Sequence, residues 1–560
     1  MKVQLNEVLY ALQRHDKQTI IIYFLLAALT WKCWVKNRAS FMSALVVGTT
    51  ASLTILVVAA YIVALILYLL WPNYIDQGQP VVASISWLWM HGQALYPNWA
   101  TGDVYGLVYG PGIFLINGTA LLLSSTIFAS KVTGVLPLAV VLGMTLIILR
   151  QKTNNSLTSL ILLASQVMLF VSFRESAYWN RPEPFLVLIS VLTLLLAFNP
   201  SPWIAGAGIG VLAGLAAGLK LYGFIYTVPA AVVVLARVEA MRGRFIVVII
   251  GSASAVASVL LLCYGKGASI AGYLQLLGVT LRHGMSLFLL YENLWIAFVL
   301  TAPFIAIWIW QKPALDPPER WLLVGVCISV AMMTVIGAKK GGGTYYLLPL
   351  VPVCIYGIAV VLPPSKVQAN EIAAVIFVSL FLAYGPRLYL YLARLEYLYR
   401  VDTKSKLEQI AELETYLGSY PAAQIGISDN RHYPLYFNRA ISVFNGRPMR
   451  VDFTVWMDLA FAGVDEKHIL RFIDGCKVST WILPLGMPFT MDNFYDGLPL
   501  LSDRFRHTFF TNYRQIQTGR AYQVWGCKLS TQRISRIVFE SRAESPARYG
   551  RPREISTSSC

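Results

Sequence analysis

Apolar and polar positions in this chain segregate into long blocks. Up to about residue 390, apolar runs follow one another with only short polar gaps between them. A helix that crosses a bilayer needs about 20 mostly apolar residues. Runs of that kind predict helices over residues 41–71, 132–149, 157–173, 185–198, 203–219, 222–236, 245–264, 288–310, 321–338, 345–362 and 372–390. Residues 20–34 and 111–128 are two further candidate spans, which makes about 11 to 13 helices. Beyond residue 390 the pattern becomes that of a water-exposed domain. Residues 400–418 read as an amphipathic helix, and short β-rich runs follow at 424–428, 441–445, 480–485 and 522–525. Residues 529–560 are rich in Arg, Ser, Glu and Pro, the composition of a disordered tail. No internal repeat is evident.

The expected fold is an all-α polytopic membrane bundle with a small C-terminal extracytoplasmic α/β domain. Residues 1–40 form a cytoplasmic or interfacial segment with room for an extra helix. Residues 41–390 form the bundle, with a long first external loop over 72–110, residues 391–528 the outer domain and 529–560 the tail. No cleavable signal peptide is expected, because residues 1–17 are polar and no small-residue cleavage site follows the next apolar stretch.

Composition removes the soluble enzymes from consideration. Of 560 residues, 57% are hydrophobic and only 13% charged, whereas a soluble domain carries about 25% charged residues. The net charge of +17 reads as topological: no basic and aromatic nucleic-acid motif accompanies it, and cytoplasmic loops of membrane proteins gather Lys and Arg. The seven cysteines form no CxxC pair, and Cys476 with Cys527 is the one pair considered as a disulfide.

The same charges orient the bundle. Lys32, Lys36 and Arg38 precede the first long span, and no Lys or Arg follows until Lys131, so residues 72–109 are expected outside. Arg237, Arg242 and Arg244 mark an inner loop, as do Lys312 with Arg320, and Lys366. Counting onward puts residues 265–287, 339–346 and everything after about 390 outside. One stretch resists the count: with Arg150 and Lys152 inside, residues 111–128 cannot be a simple span. Either that segment is re-entrant or one loop breaks the charge rule.

Ionisable residues at membrane depth are costly and usually line a cavity, so the outer helix ends are where chemistry is sought. Asp76 lies a few residues beyond a helix end, where a carboxylate could take a proton from a hydroxyl; solvating the helix terminus is its plain alternative role. Arg181-Pro182-Glu183-Pro184 is a charged element between two spans, which also fits an ordinary surface pair. Lys220 stands in strongly apolar sequence and reads equally as a snorkelling lysine or a functional one. Lys339 and Lys340 lie in G-A-K-K-G-G-G-T-Y-Y, outside by the count although lysines favour the inner face. Its glycines would expose N–H groups, and its lysines could neutralise a phosphate or meet lipid head groups. It lacks the spacing of a P-loop. Arg282 and His283 are further cationic candidates, a lone His being more often structural than catalytic.

In this order the elements resemble those of the polytopic GT-C glycosyltransferases that use a polyprenyl-phosphate-linked sugar, the group that includes protein O-mannosyltransferases and lipid A aminoarabinose transferases. The matching residues are Asp76 early in the first external loop, Gly92-Gln93-Ala94-Leu95-Tyr96, Tyr105 with Tyr109 and Pro111, Arg181 to Pro184, Gly214 to Lys220, and Lys339 to Tyr346. The chain has one acid near the loop start where better-known members have an Asp-Glu pair, and Glu183 where Asp is commoner. The C-terminal domain carries no recognisable motif.

The resemblance implies sugar transfer with inversion to an acceptor hydroxyl on a lipid, glycan or protein at the extracytoplasmic face of, by expectation, a bacterial inner membrane. It implies Asp76 as general base and Lys220, Lys339, Lys340 and Arg282 as the cations that bind the donor phosphate. Tyr96, Tyr105, Tyr109, Arg181, Glu183 and Tyr345 would contact substrate. Glu183 with His283 is the pair considered for a divalent metal, and no cofactor is required. The competing class is a polytopic lipid or sugar transporter or flippase, against which stands the lack of repeated halves.

Overall fold

A computed structural model describes residues 40–263 and 269–528. The candidate helix over 20–34, the charges at Lys32, Lys36 and Arg38, and the expected tail over 529–560 lie outside the described residues.

The bundle is built from α1 (Ser40–Leu70), α2 (Gly78–Met90), α3 (Pro111–Leu123), α4 (Ile127–Thr153), α5 (Ser156–Ser172), α6 (Glu183–Ala197) and α7 (Pro202–Leu219). It continues with α8 (Val228–Arg237), α9 (Met241–Cys263), α10 (Ile270–Leu281), α11 (Leu287–Gln311), α12 (Pro317–Ile336), α13 (Val351–Val361) and α14 (Lys366–Tyr397). Among the described residues, eight stretches are long and apolar enough to cross a membrane, including most of α1 and all of α4, α7, α11 and α12. The chain is therefore a multi-pass membrane protein. Local chemistry ends these helices where the polar gaps fall. Thr126, Asn155 and Ser201 accept hydrogen bonds from the first-turn amides of α4, α5 and α7, and Asn154 closes α4 in the left-handed conformation that Asn tolerates. Gly206, Gly210 and Gly214 let α7 lie directly on α9; a Cβ at Gly210 would sit 2.1 Å from the Gly251 carbonyl oxygen.

Polar contacts sort the loops into two ends. Lys152 pairs with Glu319, Asn155 donates to Asn370 at 2.8 Å, and Arg237 donates to the carbonyls of Ala197 and Asn199 at 2.8 and 2.6 Å. These contacts gather the basic loops at one end. Residues 71–126, 174–182, 220, 282–286 and 337–346 gather at the other, beneath the C-terminal domain.

The difficult stretch resolves at α3. It has 13 residues, about 20 Å at 1.5 Å per residue, too short for a core about 30 Å thick. After a link of three residues α4 begins, and it runs to Arg150 and Lys152 in its last turn. The loop over 72–110 is also less loop-like than its sequence suggests, because Gly78–Met90 is a helix packed against α3.

After α14 the chain continues through α15 (Thr403–Ser419) into a domain with four strands and the short helices α16 (Arg439–Phe444), α17 (Phe453–Phe461), α18 (Lys467–Ile473) and α19 (Asp503–Asn512). Strands β1 (Gln424–Ile425), β2 (Thr480–Pro484), β3 (Tyr513–Thr518) and β4 (Tyr522–Cys527) form one sheet in the order β1-β2-β4-β3, with β1 parallel to β2 and the other pairs antiparallel. Its core holds Trp481, Phe489, Phe453 and Phe509. Cys476 and Cys527 form a disulfide. The expected β-rich run at 441–445 is instead helical over its first four residues, in α16, with Asn445 as the C-cap. This domain grips the bundle. Val104 and Asp452 exchange backbone bonds with Arg450 and Val104 at 2.8 Å each, and Arg450 pairs with Asp103 at 3.0 Å.

Candidate functional site

Two ion pairs meet at the domain-covered end of the bundle. Arg181 donates to Asp76 Oδ1 at 2.9 Å, with the side chains 12% and 23% exposed. Asp76 follows the end of α1, and its Oδ1 also accepts the Gly78 amide at 2.8 Å. A Cβ at Gly78 would lie 3.0 Å from that oxygen and 3.1 Å from Arg181 Nη1, so the absent side chain makes room for the pair. The second pair joins Glu183 to Lys220, both buried. Glu183 opens α6, where a carboxylate suits the positive helix end, and Trp179 Nε1 donates to its Oε2 at 2.7 Å. Lys220 stands at the end of α7 in extended backbone. There the Gly110 amide donates to the Leu219 carbonyl at 3.0 Å, and a Cβ at Gly110 would lie 2.2 Å from the Gly218 carbonyl oxygen. That close approach of two glycines lays Tyr109 beside Lys220.

Aromatic rings enclose both cations. The Arg181 guanidinium lies 3.7 Å from the Trp179 ring centre and 5.6 Å from those of Tyr109 and Tyr345. Lys220 Nζ lies 4.8 to 5.7 Å from the rings of Tyr346, Tyr345, Tyr109 and Tyr222. Ring faces attract cations and hold them without neutralising them. The Tyr226 hydroxyl, bonded to the Tyr346 carbonyl at 2.7 Å, secures that side.

The glycine-rich turn after α12 runs beside this cluster. Gly341, at φ +86, and the Ser286–Ala338 and Lys340–Gly284 backbone bonds fix its shape. The C-terminal domain reaches it with α17. Tyr495 donates its hydroxyl to Asp458 Oδ1 and stacks on Phe461, while Lys340 Nζ lies 5.1 Å from the Phe461 ring. Burial holds the Asp458 carboxyl above its usual range, against the Tyr495 hydroxyl and the charges of His283, Lys339 and Arg181. Burial likewise lowers Lys339, partly offset by Asp458. His283 Nε2 meets the Asp458 carbonyl at 3.1 Å. A carbonyl only accepts, so that nitrogen carries the proton and is not a metal ligand in this arrangement.

The sequence candidates thus separate. Asp76, Arg181, Glu183, Lys220, Tyr109 and Tyr345 come together, with Lys339 and Lys340 on the adjoining turn. Tyr96 and Tyr105 instead tie the loop to itself, their hydroxyls bonded to the carbonyls of Tyr109 and Ala94 at 2.7 and 2.9 Å. Arg282 is exposed beyond α10 and is not drawn into the cluster. Glu183 and His283 take different partners, and no group of three or more metal-ligating side chains occurs among the described residues. Tyr346, the end of the Lys339 to Tyr346 element, lies against Lys220 as well, whereas Trp179, Tyr222, Asp458 and Tyr495 are not among the sequence candidates. Of these, Trp179 alone carries a sequence signal, standing two residues before Arg181 in an interface segment.

No family model and no curated protein matches the chain. Solved structures do match. The crystal structure of ArnT from Cupriavidus metallidurans bound to undecaprenyl phosphate superposes with a TM-score of 0.52 at 12% identity, over 85% of this chain and 98% of that one. The apo form of the same protein gives 0.51 at 11%, over 85% and 97%. At such identity the likeness is one of fold: a polytopic helical bundle of GT-C type with a smaller C-terminal domain that contains a sheet.

Proposed function

We propose that this chain is a membrane glycosyltransferase that moves a sugar from a polyprenyl-phosphate monosaccharide to an acceptor hydroxyl, with inversion, at the extracytoplasmic face. The observation that carries the reading is the convergence of Asp76–Arg181 and Glu183–Lys220 under one set of aromatic rings, at the end of the bundle away from its basic loops. The positive-inside rule puts those loops in the cytoplasm, by expectation of a bacterial inner membrane, and the C-terminal domain in the periplasm. The disulfide suits that oxidising side. The GT-C fold is consistent with this chemistry, and the ArnT crystal structure holds undecaprenyl phosphate.

In this mechanism the acceptor oxygen attacks the anomeric carbon as the bond to the phosphate oxygen breaks. Asp76 takes the acceptor proton, and the polyprenyl phosphate leaves with the bonding electrons. Negative charge grows on the leaving phosphate, so cations already in place stabilise the transition state more than the bound donor. Lys220 and Arg181 are positioned by their carboxylate partners, and Lys339 and Lys340 border the same space. Glu183 sets the orientation of Lys220 and the Trp179 edge. Tyr109 and Tyr345 offer ring faces to the sugar. Burial of the isoprenoid tail in the bilayer adds about 0.8 kcal/mol per CH₂.

The test is transfer of labelled sugar by purified protein from a panel of polyprenyl-phosphate monosaccharides. Turnover of one donor supports the reading and names the sugar. Binding of polyprenyl phosphate without turnover of any donor would favour a carrier or flippase instead.

A further inference from the structure

Beneath the Asp76–Arg181 pair lies a sealed polar network that the transfer chemistry does not use. Gln79, in the first turn of α2, is fully buried. Its Oε1 accepts the amides of Ile75 and Asp76 at 2.9 and 3.1 Å, and its Nε2 donates to the Tyr68 hydroxyl. Its backbone carbonyl accepts Asn180 Nδ2 at 3.1 Å. Asn180, the residue before Arg181, also reaches Ser130 Oγ at 2.6 Å, and its carbonyl accepts Asn117 Nδ2 at 3.2 Å. Lys131 lies beside Ser130 with its Nζ donating to the carbonyls of Tyr68 and Trp71 at 2.8 and 2.5 Å. Asn117, Ser130, Lys131 and Asn180 are all fully buried. Among the described residues no carboxylate pairs with Lys131; its amino group closes the end of α1, whose carbonyls have no helical partner.

A primary amide is the group this place demands. It must accept two N–H bonds and donate one at the same time, from the end of a side chain long enough to reach the Ile75 and Asp76 amides and the Tyr68 hydroxyl together, and an apolar chain does none of this. Leaving those buried amides without an acceptor is costly. The bond from the Asn180 side chain to the Gln79 backbone carbonyl then ties the residue before Arg181 to the turn that holds Asp76. A general base acts only when its oxygen is held to a fraction of an ångström.

We propose that Gln79 is a positioning residue: it clamps the backbone of Asp76 against that of Arg181, with Lys131 fixing the helix end to which the clamp is tied. The proposal rests on the glycosyltransferase reading for its kinetic consequence but not for its structural one. The test uses the full-length protein in detergent or nanodiscs, with Gln79→Met and Gln79→Glu beside wild type. Hydrogen exchange of the peptide containing the Ile75 and Asp76 amides is followed together with transfer kinetics. Gln79→Met is expected to speed that exchange and to lower kcat, each by about tenfold or more, with the donor KM within about twofold. At a fully buried place with no cation beside it among the described residues, Gln79→Glu is held as the neutral acid, whose carbonyl oxygen accepts both amides and whose O–H donates to the Tyr68 hydroxyl. It should hold the slow exchange and rescue most of kcat. Wild-type exchange and kcat in Gln79→Met would overturn the proposal. So would a Gln79→Glu variant as impaired as Gln79→Met, since packing alone would then explain both. Absence of transfer in wild type, with the exchange contrast intact, would overturn the proposed reaction and leave the clamp standing.

Discussion

Arg181 and Asp76 stand 105 residues apart in the chain and meet at 2.9 Å. The guanidinium lies over the Trp179 ring at the same time, so its plane is set from two directions. The contact joins the loop after α1 to the segment before α6 at the point where the proposed acceptor would sit.

Replacing that guanidinium by an ammonium should not be conservative. Lysine keeps the charge but loses the planar fork and the stack on Trp179. Arg181→Lys is expected to lower kcat/KM by about tenfold or more, with Arg181→Ala lower still. Steady-state transfer kinetics with one active donor check this.

The Glu183–Lys220 pair predicts a stability pattern that separates burial from chemistry. Lys220→Met leaves a buried carboxylate without its cation and should destabilise the protein by about 3–5 kcal/mol. Adding Glu183→Gln removes the uncompensated charge and should restore much of that stability without restoring transfer. Thermal unfolding in detergent, read beside activity for both single variants and the double variant, tests the pattern.

Two glycines give a paired test of backbone approach. A Cβ at Gly110 would overlap the Gly218 carbonyl, whereas one at Gly143, within α4, meets nothing within 4 Å. Gly110→Ala should cost about 1–3 kcal/mol or more and shift Tyr109 away from Lys220. Gly143→Ala should be neutral or stabilising by up to about 1 kcal/mol. Unfolding temperatures and donor KM of the two variants distinguish them.

Asp458 gives a pH dependence with a definite sign. Its carboxyl is held above the usual range in the folded protein by burial, so the folded state binds that proton more tightly than the unfolded chain. The contribution is full below the unfolded value near about 3.9 and is lost as pH rises through the raised folded value. Asp458→Asn should therefore flatten the fall in stability from about pH 4 upward. Unfolding temperatures measured across that range for both proteins check the slope.

The spans were legible because a bilayer demands long apolar runs, and predicted and observed ends agree closely for α5, α7 and α11. What escaped was set by tertiary packing. The absence of Lys and Arg marks residues 72–109 as external without saying what they fold into, and in G-Q-P-V-V-A-S-I-S-W-L-W-M the Pro80 ring falls in the first turn of α2, where no helical amide bond is lost. The run at 441–445 was too short for its period to separate helix from strand. Strand β3 hides its nature because all but its first residue face outward or lie at an edge. At the site, Asp76, Arg181, Glu183 and Lys220 were visible as charges in apolar surroundings. Asp458 and Tyr495 were not, since each is an ordinary residue of a water-exposed domain until the fold brings α17 against the glycine-rich turn.

The most direct test of the central claim is single-turnover transfer of labelled sugar from the active donor by Asp76→Asn beside wild type, with polyprenyl-phosphate binding and thermal unfolding measured on the same preparations. The account predicts a folded variant that binds the lipid phosphate as wild type does and transfers sugar at least about a hundredfold more slowly. Transfer at the wild-type rate by that folded variant would contradict it.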